Sequence, residues 1–309
     1  MTASYEQAGV SLAKATDVVE RLRAAVESTN AAGRAAGYGA FAGLFALDDD
    51  RLLAATTDSV GTKLSLSHRA GRLADAGRDL AAHCINDVMT CGAEPLFFLD
   101  YVAAADLDLD EVAELVGGAA HVCREAGCAI LGGETAELPG VYRESELDFV
   151  GTCVGIVSRE DLVDGSRCRA GDAVLGLPSS GLHTNGFSLV RTLVDESDFD
   201  ADVLLAPHRL YAAELRALRR ECDVRALAHV TGGGLVENLS RVLPTGVRAE
   251  VDWSAWERPP VYRWLTERGV TEEEQRRVFN VGIGMCAVVP GADAERSPYP
   301  VIGRLVDAA

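Results

Sequence analysis

Only two lysines, Lys14 and Lys63, stand among the 29 Lys and Arg residues of this chain, and one of them is the next-to-last residue of the stretch TTDSVGTKL. There an apolar strand ends on Asp58, and a turn containing Gly61 and Thr62 delivers Lys63. A carboxylate at a strand end can hold Mg²⁺, the N–H groups of the turn can face phosphate oxygens, and a lysine supplies a point charge. A solvated turn would use the same residues, and the spacing of a P-loop is absent. Further on, HCIND sets His83 and Asp87 at i and i+4 on one helix face, with Asn86 beside them. That face either holds a metal and orients a phosphate or meets water. The apolar GAEPLFFLDY that follows argues for an interior, where a carboxylate needs a partner.

Three glycine-bearing stretches add to the set. In LGGETAELPG a strand ends at Gly132 and Gly133, which let a backbone approach a ligand, and Glu134 and Glu137 then suit a hard cation or simply water. In LPSSGLHTNGFSLVR a strand gives way to Ser179, Ser180, His183 and Asn185 before a helix, which suits anion binding and proton transfer. A serine hydrolase is disfavoured, because the G-x-S-x-G elbow is missing and no acid partner is evident. In HVTGGGLVENL, Thr231, Gly232, Gly233 and Gly234 open a helix with unhindered N–H groups that suit phosphate or form a tight turn. FNVGIGM reads as a loop entering a strand whose glycines serve close backbone packing.

These residues need a scaffold, and 309 residues at 48% hydrophobic content supply one, with length for two domains of about 150 residues each. A formal charge of −18 repels nucleic acid and anionic membrane, so neither is expected as a partner. A phosphorylated substrate would then have to be met by a locally positive device. No apolar run reaches the roughly 18 residues of a membrane span, and MTASYEQAGV lacks the regions of a secretory signal, so the expected location is the cytoplasm. The eight cysteines contain no C-x-x-C pair and are expected to be reduced packing residues.

Apolar spacing predicts a helix over 14–27, with Val18, Val19, Leu22 and Val26 on one side. The Gly/Ala-rich NAAGRAAGYGAFAGLF should resist regular structure and form a mobile lead-in to a ligand site. Strands are expected over 41–47, 52–57, 95–103, the CAILGG stretch and 148–157, with helices over 75–91 and 110–126. A polar, turn-rich segment places a boundary near Val163, giving domains 1–163 and 164–309. The second domain starts again with a strand over 173–177, helices after Asn185, over 211–221 and before Phe279, a strand over 282–289 and a short last strand. Alternating strands and helices indicate an α/β (α+β) chain.

The stretches above, with the opening SYEQAGVSL, follow one another along nearly the whole chain. In identity and order they resemble the phosphoribosylformylglycinamidine cyclo-ligase (aminoimidazole ribonucleotide synthetase) family. The resemblance implies a two-domain fold whose N-terminal domain, 1–163, binds ATP and contributes strands to a barrel closed between two subunits of a homodimer. It implies ATP-dependent cyclisation of formylglycinamidine ribonucleotide to 5-aminoimidazole ribonucleotide, with Mg²⁺ assisting and ADP and phosphate released. On this resemblance Lys63, His183 and Asp87 are the catalytic candidates, and Asp58, Asp87 and Glu134 the metal ligands. Asp58, Gly61, Thr62, Lys63, Asn185 and Thr231 through Gly234 would meet ATP, phosphate or ribose.

The chain departs from the family at Glu27, Ser28 and Thr29, where many members carry basic residues, and has a short connection between Asp195 and Pro207. Relatives of the same superfamily fit less well. A selenophosphate synthetase would carry a reactive cysteine near its start, and the first here is Cys84. A catalytically silent scaffold would have lost acids and phosphate loops that this chain keeps.

Overall fold

The computed structural model describes residues 3–30, 32–195 and 199–308. The first half runs α1 (Leu12–Glu27), β1 (Ala35–Ala36), β2 (Gly43–Ala46), β3 (Arg51–Ser59), α2 (Lys63–Arg69), α3 (Leu73–Met89), β4 (Glu94–Ala104), α4 (Leu109–Ala126), β5 (Ala129–Glu137) and β6 (Leu147–Ser158). Its sheet has the order β1-β2-β3-β6-β4-β5, with β4 and β5 parallel and the other pairs antiparallel. The parallel pair is joined through α4, whose N-terminus is capped by the Asp108 carboxylate and whose end turns at left-handed Gly127.

Helices α3 and α4 cover one face of this sheet, and two glycines bring them into backbone contact. A Cβ on Gly77 would stand 2.0 Å from the Leu115 carbonyl oxygen, and one on Gly118 would stand 1.9 Å from that of Ala74. Along β6, Phe149, Cys153 and Val157 are buried under the helices while Val150, Thr152, Val154 and Ile156 are half-buried on the other face.

The second half runs β7 (Ala173–Pro178), α5 (Phe187–Leu193), α6 (Ala201–Leu204), α7 (Ala212–Glu221), β8 (Ala226–His229), α8 (Gly234–Ser240), β9 (Val247–Val251), α9 (Pro260–Glu267), α10 (Glu272–Val278), β10 (Ile283–Val289), α11 (Gly291–Ala294) and β11 (Val301–Asp307). Its antiparallel sheet has the order β8-β10-β7-β11-β9, and every residue of β10 is buried. One apolar cluster runs from Leu80 and Phe98 through Tyr211 and Leu215 to Leu177 and Met285, so the two sheets share a core. The 163/164 division drawn from sequence falls in the connection between β6 and β7.

Two expectations change. The Gly/Ala-rich lead-in is not structureless: β1 pairs with β2, the Asn30 side chain brackets the Ala35 peptide, and the Tyr38 hydroxyl donates to the Val19 carbonyl at 2.9 Å. Ala31, within it, lies outside the described residues. Strand β5 does not stop at Gly132–Gly133 but continues through Glu137, because β4 beside it supplies hydrogen-bond partners over that whole length. The connection between Asp195 and Pro207 includes residues 196–198, outside the described ones, and the rest of it holds α6.

Candidate active site

Where the two halves meet, four of the six histidines gather around two carboxylates. Asp58 sits near the end of β3, and α3 presents His83 and Asp87 one turn apart on the face turned toward that strand end. His83 Nε2 lies 3.0 Å from Asp58 Oδ2 and 3.8 Å from Asp87 Oδ2. From the other half, His229 closes β8 and places Nδ1 2.7 Å from Asp87 Oδ1. His208 follows with its Nε2 2.9 Å from that of His229. Thr184 bridges the halves, its Oγ1 lying 2.8 Å from His83 Nδ1 and 3.4 Å from His208 Nδ1. His183 stacks on His208 with ring centroids 3.9 Å apart.

These rings are buried, whereas 39% of the Asp58 side chain remains exposed, which makes it the opening of the cluster. Burial disfavours charge on His83, but Asp58, its hydrogen bond and Asp87 outweigh that and hold the imidazole up at about 9. Asp58 is held below the usual carboxylate range, its own desolvation outweighed by His83. His183 and His208 are pushed well down by burial and by neighbouring cationic groups, and burial also lowers His229 although Asp87 opposes it. One edge of the cluster is therefore charged and the other neutral, a pairing suited to handling anions and protons.

His183 adopts a left-handed backbone, φ 61°, in the loop between β7 and α5. Its Nε2 accepts from the Ser180 N–H at 3.3 Å, and its buried Nδ1 has no hydrogen-bond partner. Asn280 fixes that loop, its Oδ1 accepting from Ser179 Oγ, the Tyr262 hydroxyl and the Gly282 N–H while its Nδ2 donates to the Gly181 carbonyl. Gly284 on β10 is required by the same packing, since a Cβ there would stand 2.1 Å from the Tyr211 hydroxyl and 2.4 Å from His183 Cε1. Close backbone packing is thus the reason for the glycines of FNVGIGM.

The phosphate candidates fall in two places. Asn185 Oδ1 comes within 3.4 Å of where a Cβ on Gly232 would stand, so Asn185 and the Thr231–Gly234 loop meet. Asn238 pins that loop by donating to the carbonyls of Thr231, Gly232 and Gly234. Gly61 and Thr62 line a cavity of about 270 Å³ with Ser65, His68, Tyr142, Asp148 and Arg191, and the Thr62 hydroxyl reaches that of Ser188 at 3.2 Å.

Two sequence candidates lie elsewhere. Lys63, expected at a phosphate, is turned inward: its fully buried Nζ sits 2.7 Å from Asp79 Oδ2 and donates to the Ala206 carbonyl at 3.0 Å. The physical reason is that Lys63 opens α2 on its buried side, where a carboxylate of α3 supplies the counter-charge. Asp79 also accepts from the His208 N–H at 2.7 Å, so this ion pair ties α2 and α3 to the second half. Glu134 does not join Asp58 and Asp87. Register aligns Asp58 with Gly151, Asp100 and Gly133 across the sheet, so Glu134, one residue on, takes the opposite face on the far strand β5.

The sequence reading missed Asp79, Thr184, His208 and His229 as members of the site. His229 and Thr184 stood inside motifs already singled out, HVTGGG and LHTNG, and their polar side chains beside glycine turns were a usable signal. His208, in APHRLY, had none.

Two family models match the two sheets in turn: AIR synthase related protein, N-terminal domain, over residues 39–157, and AIR synthase related protein, C-terminal domain, over 169–307. The chain belongs to this family. Among its relatives, the phosphoribosylformylglycinamidine cyclo-ligase of Burkholderia vietnamiensis (strain G4 / LMG 22486) is 45% identical over 306 residues, covering 94% of this chain and 87% of the relative. That of Burkholderia multivorans (strain ATCC 17616 / 249) is 44% identical with the same coverage, 94% and 87%. Solved structures share the fold at lower identity. Thiamine monophosphate kinase from Aquifex aeolicus matches with a TM-score of 0.60 at 17% identity, over 82% of this chain and 85% of that one. The hydrogenase maturation protein HypE in complex with ATP matches with a TM-score of 0.63 at 23% identity, over 84% and 78%.

Proposed function

We propose that this chain is a phosphoribosylformylglycinamidine cyclo-ligase, an ATP-dependent ligase of purine biosynthesis. It converts formylglycinamidine ribonucleotide and ATP to 5-aminoimidazole ribonucleotide, ADP and phosphate. The observation that carries this reading is 45% identity over 94% of the chain to a relative of that name. A neighbour of the same fold whose structure contains ATP adds support for the co-substrate.

In this reaction ATP phosphorylates the formyl oxygen of the substrate, which converts a poor leaving oxygen into phosphate. The amidine nitrogen then attacks the activated carbon and closes the ring. The loops at Gly61–Thr62 and at Asn185 with Thr231–Gly234 bind the phosphates of nucleotide and substrate through unhindered N–H groups and side-chain amides. His183, kept neutral by burial and with an Nδ1 that has no hydrogen-bond partner, is the candidate for contact with the substrate. Lys63 acts by holding α2 and α3 against the 206–208 segment, which positions both loops.

Asp58 and Asp87 each lie within 4 Å of His83 Nε2, with Asp58 open to the outside, and carboxylates of this kind suit a divalent cation, Mg²⁺ in the simplest case. When bound it would neutralise charge developing on the transferred phosphoryl group. Glu134 would reach a metal only through a different site, on the open face of the first sheet. That face supports a homodimer. It carries exposed Phe45, Leu99 and Leu131, an apolar surface that a second copy would cover by closing a barrel. Eight free cysteines suit the reducing cytoplasm, and among the described residues no helix is long and apolar enough to cross a membrane.

Purified protein given ATP, with Mg²⁺ or another divalent ion, should form ADP and aminoimidazole ribonucleotide in equal amounts, and only when formylglycinamidine ribonucleotide is present. ADP release without that substrate, or no product with any ion, would overturn the reading. Asp87→Asn keeps a hydrogen-bond acceptor for His229 and should lower turnover by at least about a hundredfold, beyond the 10–100-fold that accompanies loss of outer metal-site partners.

A further inference from the structure

His83 and His229 bring two imidazole nitrogens to the same carboxylates that would hold a divalent cation. One ligand atom from each of His83, Asp87 and His229 lies within 4.8 Å of the others, and all three residues are buried. Within that group Asp87 oxygens stand 2.7 Å from His229 Nδ1 and 3.8 Å from His83 Nε2, separations on either side of the edge of a shell with metal–ligand bonds of about 2.0–2.2 Å.

The outward ring nitrogens supply a second observation. An imidazole that ligates a metal through one nitrogen donates the N–H of the other to a fixed partner, which sets its tautomer. His83 Nδ1 has such a partner in Thr184 Oγ1 at 2.8 Å, and His229 Nε2 has one in His208 Nε2 at 2.9 Å. Both rings are thus already oriented by groups behind them. A second grouping, His183 with His208 and His229, also brings ligand atoms within 4.8 Å. It is the poorer one, because His183 and His208 stack with planes 22° apart and their in-plane lone pairs run side by side instead of converging.

We propose that the divalent-cation site of this chain is a mixed nitrogen–oxygen site. His83 Nε2 and His229 Nδ1 join Asp87, with Asp58 at the opening beyond His83, and the site takes a divalent transition ion of the Co²⁺ or Zn²⁺ class in preference to Mg²⁺. Hard Mg²⁺ keeps oxygen ligands and several waters, whereas imidazole suits the later first-row ions. This rests on the proposed function only for the expectation that a cation is used, and it can be tested without turnover.

Chelator-stripped protein is titrated with Co²⁺ and, separately, with Mg²⁺, in the absence of nucleotide and substrate. One equivalent of Co²⁺ should bind with visible d–d bands, at a concentration at least about tenfold below that needed for Mg²⁺, as one nitrogen-ligand preference would give. Protein loaded with Mn²⁺ should show ¹⁴N couplings from two imidazoles in pulsed electron paramagnetic resonance. His83→Gln should weaken Co²⁺ by about 10–100-fold or more and remove one nitrogen coupling, while Mg²⁺ binding changes little. Should that variant fail to fold, the nitrogen couplings of the unaltered protein still decide the matter. Metal held through oxygen alone, or equal affinity for Co²⁺ and Mg²⁺, overturns the proposal. Turnover with Mg²⁺ and no nitrogen coupling leaves the reaction standing and removes this site; nitrogen coupling without turnover does the reverse.

Discussion

The two sheets are built from similar alternating strands but are finished differently. In the second sheet β10 is buried at every position, with apolar side chains covered on both faces by elements of the same chain. In the first, β6 buries every second residue under α3 and leaves Val150, Thr152, Val154 and Ile156 half-buried on the face turned away from α3 and α4. Along that face a cavity of about 940 Å³ lies beside α1, lined by Val26, Phe45, Leu53, Phe97 and Val154. The contrast separates two tasks. The helix-covered side of the first sheet carries the carboxylates and meets the second half through polar ties, and the other side is the one on which the proposed pairing with a second copy would fall. Substitutions on the two sides should therefore fail in different ways.

The largest effect is expected at the polar tie. Lys63→Ala leaves Asp79 buried without its counter-charge, which costs about 3–5 kcal/mol, read as a lower denaturation midpoint at pH 8. Burial, only partly offset by Lys63, already pushes the Asp79 carboxyl up to about 6, so at pH 5 the variant can shed the charge by taking a proton and the cost should shrink. A variant of native stability that binds ATP poorly would restore Lys63 to the phosphates and break this half of the comparison.

Next in size is Gly284→Ala, whose methyl group would stand 2.1 Å from the Tyr211 hydroxyl in the closed second sheet and should cost about 1–3 kcal/mol. On α4, Gly117 is exposed with nothing within 4 Å of a Cβ, and Gly117→Ala should raise stability by about 0.5–1 kcal/mol. Thermal denaturation of the pair checks whether tight backbone approach is confined to the interior.

Acid sensitivity should follow from the junction. In metal-free protein His183 and His208 are depressed by burial, so below their unfolded pKa of about 6.5 the unfolded chain binds protons that the folded chain refuses. Their contribution is present above pH 6.5 and lost as pH falls, at up to about 1.4 kcal/mol per pH unit for each ring. His83 runs the other way: raised to about 9, it contributes fully below pH 6.5 and loses that contribution as pH rises toward 9. His208→Asn should flatten the acid limb and leave the alkaline limb in place. Equal flattening of both limbs would show that these histidines do not titrate as two opposed groups.

Much of this scaffold was legible in the sequence. Apolar periodicity located α3, α4, β4 and β6 to within two residues at each end, because long amphipathic elements carry their own signal. Strand β5 was cut short because glycine propensity speaks against a strand, whereas at Gly133 the close approach of Asp100, 1.9 Å from a Cβ placed there, leaves room for no other residue. The carboxylates and glycine loops were visible as motifs. The direction of Lys63 was not, since its partner at position 79 and its acceptor at 206 come together only through tertiary packing. The same holds for the contact of His229 with Asp87, residues 142 apart in sequence.

The smallest effect on the monomer should be the most informative about the open face. Leu99, on β4, is 39% exposed there beside the Thr152 position of β6. Leu99→Asp removes no buried contact within the chain, so the denaturation midpoint at low protein concentration should move by no more than about 0.5 kcal/mol. If a second copy covers the face, an unpaired carboxylate in that interface costs several kcal/mol and sedimentation should show monomer where the unaltered chain is dimeric. Loss of assembly should not touch the Asp58–His83–Asp87 contacts, which face the helices on the other side of the sheet. Metal binding by the monomeric variant should therefore match that of the parent. If Leu99→Asp instead unfolds the chain or abolishes metal binding, the open face supports the site directly, and the separation of tasks between the two sides of the sheet fails.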